Sequence, residues 1–207
     1  MSTKKNSLLT IVLYSIVFIT PAFFSLSGDP IIVTTILYFA SALLMLSLYF
    51  TQKELLSFES KENSWLRILL IGLASIYLSI LLQNAVMQIE QFLGQSVGSE
   101  NTQGILEIVK LQPLFIIAIT IGAPVMEEFV FRRALPGLLE SKMNTWLAFV
   151  ISSLLFAIAH FDGHILLYFS LGMFFSLLYY VTGSIWTSII AHAGMNALVV
   201  IVSLIFT

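Results

Sequence analysis

The chain has 207 residues, of which 58% are hydrophobic and 10% are charged, and its formal net charge is −2. Soluble domains carry roughly 25% charged residues, so this composition and a mean hydropathy of +0.99 exclude an ordinary soluble fold. The chain has no run of basic residues, so it lacks the electrostatic footprint of a nucleic-acid-binding protein. The absence of cysteine excludes disulfides and thiol nucleophiles.

Apolar stretches long enough to cross a bilayer recur along the whole chain. A hydrocarbon core about 30 Å thick requires roughly 20 apolar residues per helix. The sequence therefore predicts an all-α, polytopic integral membrane helix bundle of about seven transmembrane helices, with residues 1–207 as a single membrane domain in contact with the lipid bilayer. The predicted spans are 8–26, 31–50, 65–87, 113–140, 145–161, 164–182 and 185–206.

The first span has a second interpretation. It follows Lys4 and Lys5 and runs up to Ser25-Leu26-Ser27, a pattern that a cleavable signal peptide shares. Its apolar run is longer than the usual core of a signal peptide, which favours a retained helix.

The stretch from Gln88 to Gln112 separates the third and fourth spans and is too polar to cross a membrane. Its charged residues are Glu90, Glu100, Glu107 and Lys110. Its apolar residues follow a helical spacing, which predicts a short amphipathic helix at the membrane interface. These apolar residues are Ile105, Leu106, Ile108, Val109 and Leu111.

The fourth span carries charged residues where hydrocarbon is expected. It contains APVMEEFVFRRALPGLL, whose charged residues are Glu127, Glu128, Arg132 and Arg133. Each such charge costs about 2.5 to 3.5 kcal/mol on insertion scales unless it is paired or hydrated. Glu128 and Arg132 are four residues apart on nearly one face, so we expect them to form an ion pair.

Glu127 points about 100° away from Glu128 in a regular helix, so we expect the two carboxylates to have different roles. Glu127 shares a face with Ala123 and Phe131 and is free to face a cavity. Pro124 removes a backbone hydrogen bond just ahead of it, which allows the helix to open or kink there.

The last 50 residues hold all three histidines. His160 ends the fifth span, four residues after Phe156, while His192 and Asn196 lie four residues apart on one face of the seventh. Small residues around His192 permit close packing of helices. His164 lies in a predicted loop and receives no role.

A purely structural explanation exists for each polar residue, because a buried ion pair, histidine or asparagine often only bonds neighbouring helices. The joint pattern on three helices argues against it. At about 1.5 Å per residue, Glu127 and His160 lie roughly 20 Å, and His192 roughly 10 Å, from the cytoplasmic ends of their spans. We therefore expect these side chains to converge.

Three motifs in this order resemble the CAAX protease and bacteriocin-processing family of intramembrane peptidases, also called CPBP or Abi. The family pattern is Glu-Glu-x-x-x-Arg, then Phe-x-x-x-His, then His-x-x-x-Asn or His-x-x-x-Asp on successive core helices. The matching residues are Glu127, Glu128, Arg132, Phe156, His160, His192 and Asn196. The match defines a motif-bearing catalytic core of about 113–200.

The resemblance implies an intramembrane endopeptidase that hydrolyses a peptide bond of a membrane-associated peptide or protein. Glu127 and His160 would activate the water. His192 and Asn196 would form the oxyanion site. The supporting residues would be Glu128, Arg132 and Phe156.

Two alternatives follow from the same residues. In the first, Glu127, His160 and His192 bind a divalent metal such as zinc, since two histidines and one carboxylate form a known catalytic set. In the second, the chain is a non-catalytic membrane regulator or bacteriocin-immunity protein with the same fold. The presence of every motif residue favours the peptidase.

Basic residues indicate the orientation of the spans, since short cytoplasmic loops are enriched in lysine and arginine. With a cytoplasmic N-terminus, Lys110 alone among the basic residues lies outside. The other basic residues lie at or toward the cytoplasmic side in this orientation: Lys4, Lys5, Lys53, Lys61, Arg67, Arg132, Arg133 and Lys142. The isoleucine, lysine and asparagine usage favours a bacterial cell membrane.

We expect a reporter that is active only in the cytoplasm to stay silent when it is fused after Thr207. The reason is that seven spans from a cytoplasmic N-terminus place the C-terminus outside. Activity of this fusion would show that the number of spans is wrong by one or that the first segment is cleaved.

Overall fold

The computed structural model describes residues 1–24, 29–60, 62–95 and 99–206, and every regular element within them is a helix. The predicted all-α membrane helix bundle is confirmed. Ser25-Leu26-Ser27 and Lys61, which entered the signal-peptide and orientation arguments, lie outside the described residues. The helices are α1 (Thr3–Phe24), α2 (Pro30–Phe50), α3 (Trp65–Phe92), α4 (Glu100–Leu111), α5 (115–139), α6 (Thr145–Ile158), α7 (Ile165–Thr182) and α8 (Ile185–Phe206).

Four helices of the described chain are long and apolar enough to cross a membrane, namely α2, α3, α7 and α8. The shorter α6 is also apolar, but it has 14 residues and ends at Ile158 instead of 161. The charged motif of α5 distinguishes that helix from the four apolar ones. The chain is therefore a multi-pass membrane protein, and the count of seven spans stays a prediction.

Helix α5 runs continuously through two π-helical segments, Ala118–Gly122 and Glu128–Ala134. A π-helical turn bonds residue i to i+5 and is frequent at functional sites. Pro124 follows the first segment and has no N–H to offer the carbonyl of Thr120. The opening predicted at Pro124 thus takes the form of a widened turn just before it.

Helix α5 lies at the centre of the bundle. It contacts the α1–α2 pair on one side, and α6, α7 and α8 on the other, while α3 packs against α7 and α8. A methyl group added at Gly194 of α8 would collide with Ile76 of α3. The small residue therefore permits the close approach of α8 to α3.

The segment from Gln88 to Gln112 differs in part from its prediction. Helix α3 continues to Phe92, and Glu90 is buried within it instead of lying at the interface. The short amphipathic helix is present as α4. Of its apolar residues, Val109 is buried whereas Leu111 is 74% exposed.

Arg133 does not belong to the motif and has its own partners at one end of the bundle. Its Nε and Nη2 donate to Glu59 Oε1 and Oε2 at 2.7 and 3.1 Å, and its Nη1 donates to Gln52. The Tyr179 hydroxyl also donates to Glu59. Because Glu59 lies in the loop between α2 and α3, this buried ion pair fastens that loop to α5.

Candidate active site

A cavity of about 630 Å³ lies between the helices around the centre of α5. The four residues assigned to catalysis from the sequence all line it: Glu127, His160, His192 and Asn196. They come from α5, from the turn that follows α6, and from α8. The structure therefore brings together residues that are far apart in the chain, from position 127 to position 196.

Glu127 is the carboxylate that faces the cavity. Its side chain keeps 18% exposure, and its Oε2 lies 3.7 Å from His192 Nε2. The family resemblance implies that Glu127 and His160 act together in water activation. Both residues line the cavity, but the imidazole nitrogen that lies close to the Glu127 carboxylate is Nε2 of His192.

Glu128 points away from the cavity and is fully buried. Its Oε1 lies 3.5 Å from Arg132 Nε, as the spacing of four residues predicted. The same oxygen accepts a hydrogen bond from His192 Nδ1 at 2.9 Å. One carboxylate oxygen thus contacts both the Arg132 guanidinium and the His192 imidazole. The contact with His192 links α5 to α8.

Arg132 is held mainly by charge and by aromatic faces. Its guanidinium carbon lies 4.3 Å from the ring centroid of Phe156 and 5.9 Å from that of Phe175. Its side-chain nitrogens have no hydrogen-bond partner among the described protein atoms. A cation over a desolvated aromatic face is stabilised by about 2 kcal/mol, so Phe156 and Phe175 contribute to keeping this charge inside the bundle.

His160 lies in the turn after α6, not within the helix as the sequence indicated, because α6 ends at Ile158. Its Nδ1 is 2.8 Å from the carbonyl oxygen of Phe156. A carbonyl only accepts, so Nδ1 carries the hydrogen and, in the neutral ring, Nε2 carries the lone pair. The imidazole packs edge to face against Phe156, with centroids 4.5 Å apart.

The proton positions of His192 follow from the same argument. Its Nδ1 faces the Glu128 carboxylate, which accepts, so Nδ1 is the donor of that bond. Its Nε2 is then the atom that faces Glu127. The ring stacks on Phe175 with a centroid distance of 4.6 Å, which fixes its plane.

Asn196 lies one turn further along α8. Its Nδ2 donates to the carbonyl of Ile119 at 3.3 Å. Ile119 belongs to the first π-helical segment of α5. A side-chain amide carries two N–H groups, so the second one remains for a ligand in the cavity that Asn196 lines.

Several polar residues of the cavity were not identified from the sequence. They include Gln83 and Asn84 of α3, Ser99 just before α4, Asn101, Thr102 and Gln103 of α4, and Tyr168 of α7. Single neutral side chains on apolar helices give no motif. Only the polarity of Gln83-Asn84 within the apolar third span could have drawn attention to that helix.

His164 was assigned to a loop without a role, but it is buried. Its Nδ1 lies 2.6 Å from Oε2 of Glu90, whose Oε1 accepts the backbone N–H of Leu167 at 3.0 Å. The Glu90–His164 pair therefore fastens the end of α3 to the start of α7. The two residues are far apart in sequence, so no spacing rule could have paired them.

A metal site built from Glu127, His160 and His192 does not fit this geometry. Among the described residues, no group of three or more His, Asp or Glu side chains is placed to hold a metal ion. The Nδ1 atoms of the two histidines contact Phe156 O and Glu128 Oε1, so only their Nε2 atoms could face a shared ligand. The three side chains share the cavity without forming a ligand set.

Comparison with known proteins places the motif region in a family. The family model described as type II CAAX prenyl endopeptidase, Rce1-like, matches residues 109–198. This range contains all seven motif residues. No solved structure gives a significant match to the chain.

Two bacterial relatives extend the similarity beyond the motif region. The chain is 40% identical over 154 residues to YdiL of Bacillus subtilis, a protein named as a membrane peptidase. The aligned stretch covers 73% of this chain and 63% of YdiL. The chain is 33% identical over 175 residues to the membrane-embedded CAAX protease MroQ of Staphylococcus aureus, covering 80% and 70%. The chain thus spans less than two thirds of YdiL. It belongs to the family of CAAX-type membrane proteases, the family that its three motifs resemble.

Proposed function

We propose that the chain is an intramembrane endopeptidase that hydrolyses a peptide bond of a membrane-associated peptide or protein. The observation that carries the proposal is the convergence of Glu127, His160, His192 and Asn196 on one cavity. Ionisable groups at membrane depth are expensive and are retained mainly where they act on a substrate or an ion. A non-catalytic regulator with the same fold would not require the four side chains to face the same cavity.

Glu127 is proposed as the general base. Its carboxylate accepts a proton from a water molecule in the cavity, and the hydroxide adds to the carbonyl carbon of the scissile bond. The lone pair on His160 Nε2 accepts the second hydrogen bond of that water and orients it. Glu127 then returns the proton to the departing amine nitrogen, so the proton count balances.

His192 and Asn196 are proposed as the donors to the tetrahedral oxyanion. Asn196 offers its second amide N–H whatever the pH. His192 donates from Nε2. This requires a proton on both ring nitrogens, because the Nδ1–H already donates to the Glu128 carboxylate. Such donors act on the charge that develops in the transition state.

The lining of the cavity indicates what part of a substrate it accepts. Among its described residues, Glu127 is the only Asp, Glu, Lys or Arg, and the remaining polar groups are amides, hydroxyls and the two histidines. Side-chain amides donate and accept, as peptide backbone does. We therefore assign an uncharged segment of a membrane-associated peptide to the cavity.

The two glutamates are expected to respond differently to substitution. Glu127→Gln keeps the volume but removes the base, so it should abolish peptide release while the unfolding midpoint stays near that of the wild type. Glu128→Gln leaves Arg132 without its counter-charge, and breaking a buried pair on one side costs about 3 to 5 kcal/mol. Peptides released in cells and thermal unfolding of the purified chain measure the two effects.

Glu107→Gln is the matched control, because Glu107 is exposed on α4 and outside the cavity lining. This variant should match the wild type in both measurements. Unchanged peptide release by folded Glu127→Gln would refute the peptidase assignment and leave a binding protein as the function.

Asn196→Ala is expected to lower kcat by about 10² to 10³ with little change in KM, since an oxyanion donor acts mainly in the transition state. The substrate would be a synthetic peptide that spans a cleavage site found in the cell comparison. Asn144→Ala is the control: Asn144 caps α6 by accepting from the Leu147 N–H at 2.9 Å. Asn144→Ala should lower the stability of the chain without lowering kcat. An equal loss of kcat in Asn196→Ala and Asn144→Ala would refute the assignment of Asn196 as an oxyanion donor.

A further inference from the structure

The turn that carries His160 has an unusual backbone. Phe161 adopts φ +54°, the only positive φ of a non-glycine residue among the described residues, and Gly163 has φ +82°. A non-glycine residue in the left-handed region is strained and persists only where surrounding contacts determine its conformation. The contacts that surround this turn therefore determine its conformation.

Asp162, between these two residues, makes several of those contacts. Its Oδ2 accepts hydrogen bonds from the hydroxyls of Ser99 and Tyr168 at 2.6 and 2.9 Å. Its Oδ1 accepts the backbone N–H of His164 at 3.2 Å. The two hydroxyls are also 3.1 Å from each other. One carboxylate thus fixes the turn, α7 and the residue before α4 together.

Tyr168, which Asp162 holds in place, stacks on His160. The phenol and imidazole rings are nearly parallel, with an interplanar angle of 22° and centroids 3.6 Å apart. The opposite constraint is the bond from His160 Nδ1 to the Phe156 carbonyl. Stacking and this bond together leave the imidazole one orientation, in which Nε2 is the free nitrogen.

Ser99 connects the same carboxylate to α4. It caps that helix by accepting the N–H of Thr102 at 3.1 Å. Helix α4 contributes Ile105, Leu106 and Ile108, among others, to the cavity wall. A displacement of α4 from the cavity would therefore pull on Asp162 and, through Tyr168, on His160.

We propose that Asp162 and Tyr168 are positioning residues for His160, and that Ser99 makes the orientation of His160 depend on the seating of α4 over the cavity. The proposal rests on the proposed function of His160. Neither positioning residue needs to touch the reacting atoms. Their effect is to keep the Nε2 lone pair directed at the water throughout the reaction.

The test compares two tyrosines that each lose a hydroxyl bonded to a carboxylate. Tyr168→Phe keeps the stacked ring but loses its hydrogen bond to Asp162. Tyr179→Phe loses its bond to Glu59 and lies outside the cavity lining. Both chains are labelled with ¹⁵N-histidine in bicelles, and the three histidines are assigned by single substitution.

We expect one sharp set of His160 signals, with hydrogen on Nδ1, in the wild type and in Tyr179→Phe. In Tyr168→Phe, Asp162→Asn and Ser99→Ala these signals should broaden or split, because the ring samples a second orientation. With the synthetic peptide described above, kcat should fall by about tenfold to a hundredfold at nearly constant KM in the same three variants. Thermal unfolding identifies any variant that fails to fold.

Unchanged His160 signals in folded Tyr168→Phe and Asp162→Asn would overturn the inference, as would a kcat equal to that of Tyr179→Phe. Unchanged signals in Ser99→Ala alone would overturn the link to α4. The NMR measurement needs no substrate. A failure of the positioning role is therefore distinguishable from a failure of the peptidase assignment, which shows as cleavage by Glu127→Gln.

Discussion

Glu128 contacts Arg132 on its own helix and His192 on α8, and the geometry of the whole site depends on this shared carboxylate. A buried charge is costly unless it is paired and hydrogen-bonded. Arg132 supplies the charge and His192 supplies the hydrogen bond. These contacts fix the distance between α5 and α8. They therefore also fix the distance from Glu127 to the side chains of His192 and Asn196, which line the same cavity.

The remaining contacts allow these polar groups to coexist with an apolar bundle. Phe156 packs on both Arg132 and His160, and Phe175 packs on both Arg132 and His192. The aromatic faces stabilise the cation and set the planes of the imidazoles at the same time. Glu127, which has no such enclosure, is left facing the cavity, which is the position that its proposed role as the base requires.

The sequence was informative where the interacting residues are close in the chain, or where their positions along the predicted spans could be compared. The Glu128–Arg132 pair follows from a spacing of four residues, and the convergence of the motifs follows from their positions along the spans. The Glu128–His192 bond joins residues 64 apart, and no periodicity predicts such a pairing. The end of α6 before His160 and the π-helical turns of α5 depend on tertiary packing, which overrides local propensity.

A double-mutant cycle on the Glu128–His192 bond tests this account most directly. Free energies of unfolding would be measured in mixed micelles for the wild type, Glu128→Gln, His192→Gln and the double variant. We predict that the double variant is less destabilised than the sum of the single variants by about 0.5 to 3 kcal/mol, the range for residues in one hydrogen-bonded network. Additivity within about 0.5 kcal/mol, as found for independent sites, would contradict it.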